Sequence, residues 1–185
     1  MEKYKKFLSP FVDFLAQKKF KPVHLTIIGL ILSIVPATFY ALNFYILAGI
    51  FLILFSLFDT LDGELARKKN EVTKFGGVID STFDRISEGF IFCGILYSFK
   101  ENTFAIIIIF ISFLFSFMIS YVRARGEGEN FSTRKGPMER ALRILYLSFF
   151  SFFGKRIFLY SLFPFIILNL FTFIRRILDL KKNLI

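Results

Sequence analysis

The sequence DTLDGELAR at residues 59–67 is followed, after eight residues, by GGVIDSTFD at residues 76–84. Asp59 and Asp62 are three positions apart, and Asp80 and Asp84 are four apart, so each pair falls on one face of a helix. The eight intervening residues include three lysines and are enough for a short turn. Two antiparallel helices joined by this turn are expected to aim four carboxylates at one point.

Four carboxylates in apolar surroundings indicate a metal site. As bare anions they would repel one another and lose their hydration. Hard divalent cations remove this penalty, and ligands that are all oxygen suit Mg²⁺, Mn²⁺ or Ca²⁺ rather than zinc. Two such ions held close together bind a phosphate or diphosphate. Gly63 leaves room for a ligand beside the backbone, and Arg67, one turn further, is placed to meet phosphate oxygens.

The composition is that of a membrane protein. The 185 residues are 55% hydrophobic, with a mean hydropathy of +0.62, which is too apolar for a soluble domain of this size. Six apolar stretches each approach the roughly 20 residues that cross a bilayer. They are residues 22–42, 44–66, 76–99, 103–123, 137–154 and 156–176. We therefore predict an all-α integral membrane protein with six transmembrane helices.

Residues 1–20 form a different kind of segment. Aromatic and aliphatic residues recur there at helical spacing with lysines on the other side, which is typical of a helix lying on an anionic membrane surface. The predicted organisation is an N-terminal amphipathic interfacial helix over residues 1–20 and one six-helix domain over residues 21–185.

The basic residues indicate the orientation of the chain. Of the 24 lysines and arginines, 20 lie in the N-terminal segment, in the turn after residue 66, between residues 123 and 143, or near the C-terminus. This alternation follows the positive-inside rule and places both termini and the acidic motif on the cytoplasmic side of the cell membrane. The net charge of +10 is therefore ascribed to membrane topology and not to a nucleic-acid partner.

The acidic segments resemble the signature of the CDP-alcohol phosphotransferase family, D-x2-D-G-x2-A-R-x8-G-x3-D-x3-D. All eight fixed positions are matched between Asp59 and Asp84. The resemblance implies a Mg²⁺-dependent enzyme, with two ions expected and Mn²⁺ as an alternative. It also implies a CDP-lipid donor, release of CMP, and a homodimer.

The same resemblance assigns roles to individual residues. It implies metal ligation by Asp59, Asp62, Asp80 and Asp84, with Asp84 also taking the proton from the attacking alcohol as the catalytic base. The implied CDP-binding residues are Gly63, Ala66, Arg67 and Gly76.

A second basic cluster bears on the acceptor. Arg123 lies at the end of one predicted helix and Arg143 lies one turn into the next, so both are expected to face the acidic cavity. Two or three arginines at this place would bind a phosphate, which indicates a phosphorylated alcohol. Taken singly, these arginines also fit ordinary positive-inside charge.

The pattern from Ser120 to Glu127, followed by E-R-x-x-R at residues 139–143, is similar to the branch of the family that uses inositol 1-phosphate. The resemblance implies transfer of a phosphatidyl or archaetidyl group to inositol 1-phosphate. Ser120, Arg123 and Arg143 would hold the acceptor phosphate, joined by Arg175 or Arg176, of which Arg176 is preferred. Bacterial members of this branch favour lysine at the position of Arg123; arginine keeps the positive charge but changes the geometry of the contact.

Other readings stay open at this point. Within the family, glycerol 3-phosphate or serine as acceptor and CDP-inositol as donor are alternatives, although serine has no phosphate to use the arginines. From another class, a cation transporter would also carry buried carboxylates. An ion pathway, however, gives no reason for the neighbouring Gly63 and Arg67.

Overall fold

The computed structural model describes residues 12, 13, 16, 21–131 and 136–184, without the side chains of Asp59, Asn183 and Leu184. From residue 21 onward, the described residues form seven α-helices and no β-strand. The helices are α1 (Pro22–Leu32), α2 (Ile34–Ala41), α3 (Tyr45–Lys69), α4 (Lys74–Ser98), α5 (Thr103–Gly128), α6 (Arg140–Ser151) and α7 (Gly154–Leu184). The predicted interfacial helix at 1–20 lies outside the described residues, apart from Val12, Asp13 and Ala16, and stays a prediction.

The first predicted span is divided in two at Ser33. Helix α1 ends at Leu32 and α2 begins at Ile34. Pro36 has no N–H to donate to the carbonyl four residues earlier, which is that of Leu32, and its ring crowds that carbonyl. The Ser33 hydroxyl donates instead to the carbonyl of Leu30 at 2.6 Å. In place of the predicted kink, the span is therefore broken into two separate helices.

Four stretches among the described residues are long and apolar enough to cross a membrane: Pro22–Ala41, Tyr45–Lys69, Thr103–Gly128 and Gly154–Lys182. The predicted spans at 76–99 and 137–154 correspond to α4 and α6. Helix α4 carries the charged residues Asp80, Asp84, Arg85 and Glu88. Helix α6 has 12 residues, or about 18 Å at 1.5 Å per residue, which is less than a bilayer core. The total of six spans stays a prediction.

The two motif helices are joined as the sequence predicts but do not pack along each other. The turn uses Asn70 in the left-handed conformation with φ of 55°, and Thr73 caps α4 by accepting a hydrogen bond from the Gly76 backbone N–H at 2.9 Å. Among the described residues, α1 and α2 pack against both α3 and α4. Asp62 on α3 and Asp84 on α4 therefore border one space, which α1 helps to enclose.

The other helices complete a bundle whose opposite end is held by polar contacts. Helix α6 packs on α3, α5 packs on α4, and α7 packs on α5 and α6. The hydroxyls of Tyr45 and Ser98 are 2.6 Å apart and join α3 to α4 at this end. Lys155 donates to the side chain of Asn43 at 2.7 Å and also reaches the carbonyl of Ser98. Lys155 thus ties Asn43 and the end of α4 together at this end of the bundle.

Candidate active site

A cleft between α1, α3 and α4 brings together one carboxylate from each acidic segment. Asp62 and Asp84 both line it. Asp62 is only 6% exposed, and its Oδ1 accepts a hydrogen bond from the backbone N–H of Gly63 at 2.6 Å. Leu25, Thr26 and Gly29, all on α1, form another wall of the cleft, and open space lies beside the Cα of Gly29.

The remaining two aspartates occupy the same helices. The backbone of Asp59 lies in α3, one turn before Asp62, and half-buried Asp80 lies in α4, one turn before Asp84. No three acidic, histidine or cysteine side chains form a metal-binding group within the described part of the chain, which excludes the Asp59 side chain. The convergence of all four carboxylates stays a prediction. The donor set, composed only of carboxylate oxygens, is chemically suited to a hard divalent cation.

The residues predicted to line the CDP site lie on α3 and at the start of α4 and are not among those that line the cleft. Arg67 is exposed, and its Nη2 donates to Glu64 Oε1 at 2.9 Å. The same guanidinium lies over Gly63, where an added Cβ would be 3.5 Å from Arg67 Nη2. Ala66 is half-buried on α3, and Gly76 lies in the first turn of α4. The backbone beside Gly63 is thus accessible to a ligand once the Arg67 side chain moves.

Two arginines hold Asp84 from the side away from α1. Arg140 Nη2 lies 2.8 Å from Asp84 Oδ1, and Arg85 Nη2 lies 3.5 Å from Asp84 Oδ2. The Arg140 guanidinium carbon also lies 6.0 Å from the centroid of the Phe55 ring, within the range of a cation–π contact. Asp84 therefore lies at the boundary between the acidic cleft and a group of arginines.

The group of arginines is built around Glu88. Arg143 Nε donates to Glu88 Oε1 at 3.2 Å, and Arg85 Nη1 donates to Glu88 Oε2 at 2.9 Å. The Ser116 hydroxyl donates to Glu88 Oε1 as well. Arg143 Nη2 donates to the hydroxyl of Ser120 at 3.1 Å, and Arg85 donates to the same hydroxyl. We call Arg85, Glu88, Ser116, Ser120 and Arg143 the Glu88 network.

The predicted acceptor residues differ in their surroundings. Arg143 is 1% exposed and contacts Ser120 directly, but it lines the cavity beside Glu88 and not the acidic cleft that it was expected to face. Arg176 is 4% exposed, and its Nη1 donates to the carbonyl of Ile119 at 2.8 Å, next to Ser120. Arg123 is 61% exposed, and its Nε pairs with Glu127 Oε1 at 2.7 Å. The alternative Arg175 is exposed, which favours Arg176 as the inward-facing residue.

Sequence reasoning missed several parts of this site. Arg85 directly follows Asp84, Glu88 lies one helical turn after it, and Arg140 belongs to the E-R-x-x-R pattern. From the sequence, none of the three was assigned a role. The signal available was their spacing: Asp84 and Glu88 are four residues apart on α4, so they share a face. The contribution of α1 to the cleft, through Leu25 and Thr26, had no sequence signal.

Comparison with known proteins gives the chain a family. The sequence model of the CDP-alcohol phosphatidyltransferase family matches residues 20–176. The archaetidylinositol phosphate synthase of Pyrococcus horikoshii is 37% identical over 172 residues, which cover 92% of this chain and 88% of that protein. The phosphatidylinositol phosphate synthase of Mycobacteroides abscessus is 33% identical over 148 residues, which cover 78% and 67%.

Solved structures of a phosphatidylinositol phosphate synthase have the same fold as this chain. The phosphatidylinositol phosphate synthase of Mycobacterium tuberculosis with CDP-DAG bound matches with a TM-score of 0.86 and 25% identity, over 95% of this chain and 94% of that one. The same enzyme in complex with manganese and citrate matches with a TM-score of 0.84 and 27% identity, over 92% and 87%. The chain therefore belongs to the CDP-alcohol phosphatidyltransferase family, as its acidic signature predicted, and is embedded in a membrane.

Proposed function

We propose that this protein transfers a phosphatidyl or archaetidyl group from a CDP-lipid to inositol 1-phosphate and releases CMP. The names of the relatives support this reaction: one is an archaetidylinositol phosphate synthase and the other a phosphatidylinositol phosphate synthase. The structure of a relative with CDP-DAG bound supports a CDP-lipid as donor.

The observation that carries the choice of acceptor is the Glu88 network beside Asp84. Arg85 and Arg143 both donate to Ser120, and Arg140 lies against Asp84. The three arginines and the two carboxylates that pair with them, those of Asp84 and Glu88, together carry one net positive charge, and this group is largely buried. An anionic group on the acceptor compensates this charge, whereas a neutral alcohol such as serine's hydroxyl does not.

The chemistry proposed for the site is a displacement at phosphorus. A hydroxyl of the acceptor attacks the lipid-bearing phosphorus, a new P–O bond forms, and the P–O bond to CMP breaks so that CMP leaves with the electron pair. The proton of the attacking hydroxyl passes to a carboxylate oxygen of Asp84, which stands between the acidic cleft and the arginines. Arg140 and Arg85 hold this carboxylate in place, while Ser120, Arg123, Arg143 and Arg176 hold the acceptor phosphate.

The donor diphosphate belongs in the acidic cleft. We assign Asp59, Asp62, Asp80 and Asp84 as ligands of two divalent ions, with Mg²⁺ as the physiological metal and Mn²⁺ able to replace it. When bound, the ions neutralise the diphosphate and stabilise the leaving CMP. In this proposal the cytidine lies against Gly63, Ala66, Arg67 and Gly76, which follow Asp62 on α3 and precede Asp80 on α4. The manganese complex of a relative supports dependence on a divalent metal.

The arrangement in the membrane follows the charge distribution. We propose that the motif end of the bundle, with both termini, faces the cytoplasm, where the water-soluble acceptor and the nucleotide are available. The large apolar side chains exposed on the outside of α5 and α7 face lipid or a second copy of the chain in a homodimer.

The experiment that tests the proposal measures CMP release from CDP-diacylglycerol and CDP-archaeol by purified protein with Mg²⁺. Inositol 1-phosphate, glycerol 3-phosphate and serine are compared as acceptors at equal concentration. We expect turnover with inositol 1-phosphate alone. Turnover with glycerol 3-phosphate in its place would overturn the acceptor assignment, and no turnover with either lipid series would overturn the reaction itself.

A further inference from the structure

We infer that Glu88 is a positioning residue for the acceptor. It holds Arg85 and Arg143 so that both guanidinium groups donate to the Ser120 hydroxyl. The inference rests on the proposed function, because it concerns the acceptor half of that site. Glu88 itself receives three donors from three different elements, namely Arg85 on its own helix, Ser116 on α5 and Arg143 on α6. It thus joins the three helices whose side chains form the acceptor region.

The hydrogen bonds of Arg143 define what Glu88 contributes. Arg143 Nε and Nη2 lie 3.2 and 3.4 Å from the two carboxylate oxygens of Glu88, which is a bidentate arrangement. With this edge of the guanidinium fixed, Nη1 donates to the carbonyl of Met138 at 3.0 Å and Nη2 also reaches Ser120 at 3.1 Å. Arg143 therefore has one defined orientation, and Glu88 makes two of its four contacts.

Charge balance requires the same carboxylate. Arg85, Arg140 and Arg143 lie close together, and Arg85 and Arg143 both reach one hydroxyl. The other carboxylate seen to pair with these arginines in the described part of the chain is Asp84, which contacts Arg85 and Arg140 and has its own role at the metal cleft. Glu88 therefore keeps the arginines together while the acceptor is absent and leaves one net positive charge for its phosphate.

Glu88 lies away from the acidic cleft in which the reaction occurs. It lines a separate small cavity with Leu52, Ile91 and Phe92, whereas Asp62 and Asp84 line the cleft next to α1. Phe55 borders both spaces. Loss of the Glu88 carboxylate is thus expected to act on acceptor binding and to leave donor binding intact.

The test compares Glu88→Gln with the wild type and with Glu129→Gln. The control makes the same chemical change in an exposed pair, where Arg125 Nη2 lies 2.7 Å from Glu129 Oε1. For Glu88→Gln we expect the KM for inositol 1-phosphate to rise about tenfold or more, because hydrogen bonds to a charged group are lost. The KM for the CDP-lipid and the kcat at saturating acceptor are expected to stay within about threefold of wild type, and Glu129→Gln to match wild type throughout.

A second variant covers the case in which Glu88→Gln does not fold. Ser116→Ala removes one donor to Glu88 with a small change in volume, and its acceptor KM is expected to rise about threefold to tenfold. An acceptor KM within about twofold of wild type in the folded variants would overturn the inference, as would an equal rise in the donor KM. If the wild type itself releases no CMP with a phosphorylated acceptor, the proposed function fails, and that result is distinct from either of these.

Discussion

Replacing Arg143 by lysine keeps the positive charge and removes the planar guanidinium. Arg143 donates from Nε and Nη2 to Glu88, from Nη2 to Ser120 and from Nη1 to the carbonyl of Met138, over 3.0 to 3.4 Å. A lysine ammonium is a single point that cannot reach all three partners, because they surround the guanidinium on different sides. At least one contact to Ser120 or Met138 is lost, together with the bidentate geometry.

The magnitude follows from the number of contacts. A hydrogen bond to a charged group contributes about 1.5–3 kcal/mol, and 1.4 kcal/mol corresponds to about tenfold in affinity. Loss of one such bond at a residue that is 1% exposed is therefore expected to raise the KM for inositol 1-phosphate by about 10- to 100-fold. The donor KM is expected to change by less than about threefold, because Arg143 does not line the acidic cleft.

The assay is steady-state CMP release at varied acceptor with saturating CDP-lipid, and then at varied donor. Arg125→Lys is the matched control, since Arg125 is exposed and pairs with Glu129 at 2.7 Å; it is expected to behave like wild type. An acceptor KM for Arg143→Lys within about threefold of wild type would refute the reasoning, because the buried guanidinium geometry would then not matter to the acceptor.

Three further predictions follow from the site and the fold. Asp84→Asn is expected to lower kcat by about 100- to 10,000-fold, which is the usual contribution of a general base. The control, Asp179→Asn, lies beyond the residues matched by the family model and is expected to retain the wild-type kcat. Undiminished turnover in Asp84→Asn would exclude the base role. Chelation of divalent metal is expected to abolish CMP release, with recovery on addition of Mg²⁺ or Mn²⁺, and full activity after exhaustive chelation would contradict the metal assignment. Gly94→Ala is expected to lower the thermal unfolding temperature, because the added Cβ would lie 2.1 Å from the carbonyl oxygen of Ala37 and overpacking costs about 1–3 kcal/mol. Gly89→Ala, with open space beside its Cα, is the control for that measurement. Equal unfolding temperatures for the two variants would contradict the expected clash between α4 and α2.

The acidic motif was predictable because its spacing is tied to helix geometry. Asp62 and Asp84 are separated by a turn whose length and capping residues, Asn70 and Thr73, are visible in the sequence, and the structure brings both carboxylates to one cleft. Arg176, preferred over Arg175 in the prediction, is the buried one of the two. These features depend on local periodicity, which a sequence displays directly.

The rest depended on packing between distant helices. In the sequence, Glu88 and Arg140 cannot be distinguished from ordinary surface charges, because their surroundings are formed by other helices. The partners Glu88 and Arg143 are 55 residues apart in the chain. The length of α6 was overestimated because the apolar composition continues through Phe152 and Phe153, whereas the helix ends at Ser151. The role of α1 in the cleft arises because α3 and α4 pack on it instead of along each other.

The central claim is transfer of a lipid phosphate to a phosphorylated alcohol at the acidic cleft. The most direct measurement quantifies the CMP and the lipid product of the same reaction, with CDP-lipid, inositol 1-phosphate and Mg²⁺ present, and identifies the lipid by mass spectrometry. The account predicts a lipid carrying inositol phosphate in equimolar amount with CMP. CMP formed with phosphatidic or archaetidic acid in place of that lipid would show hydrolysis rather than transfer, and would contradict the account.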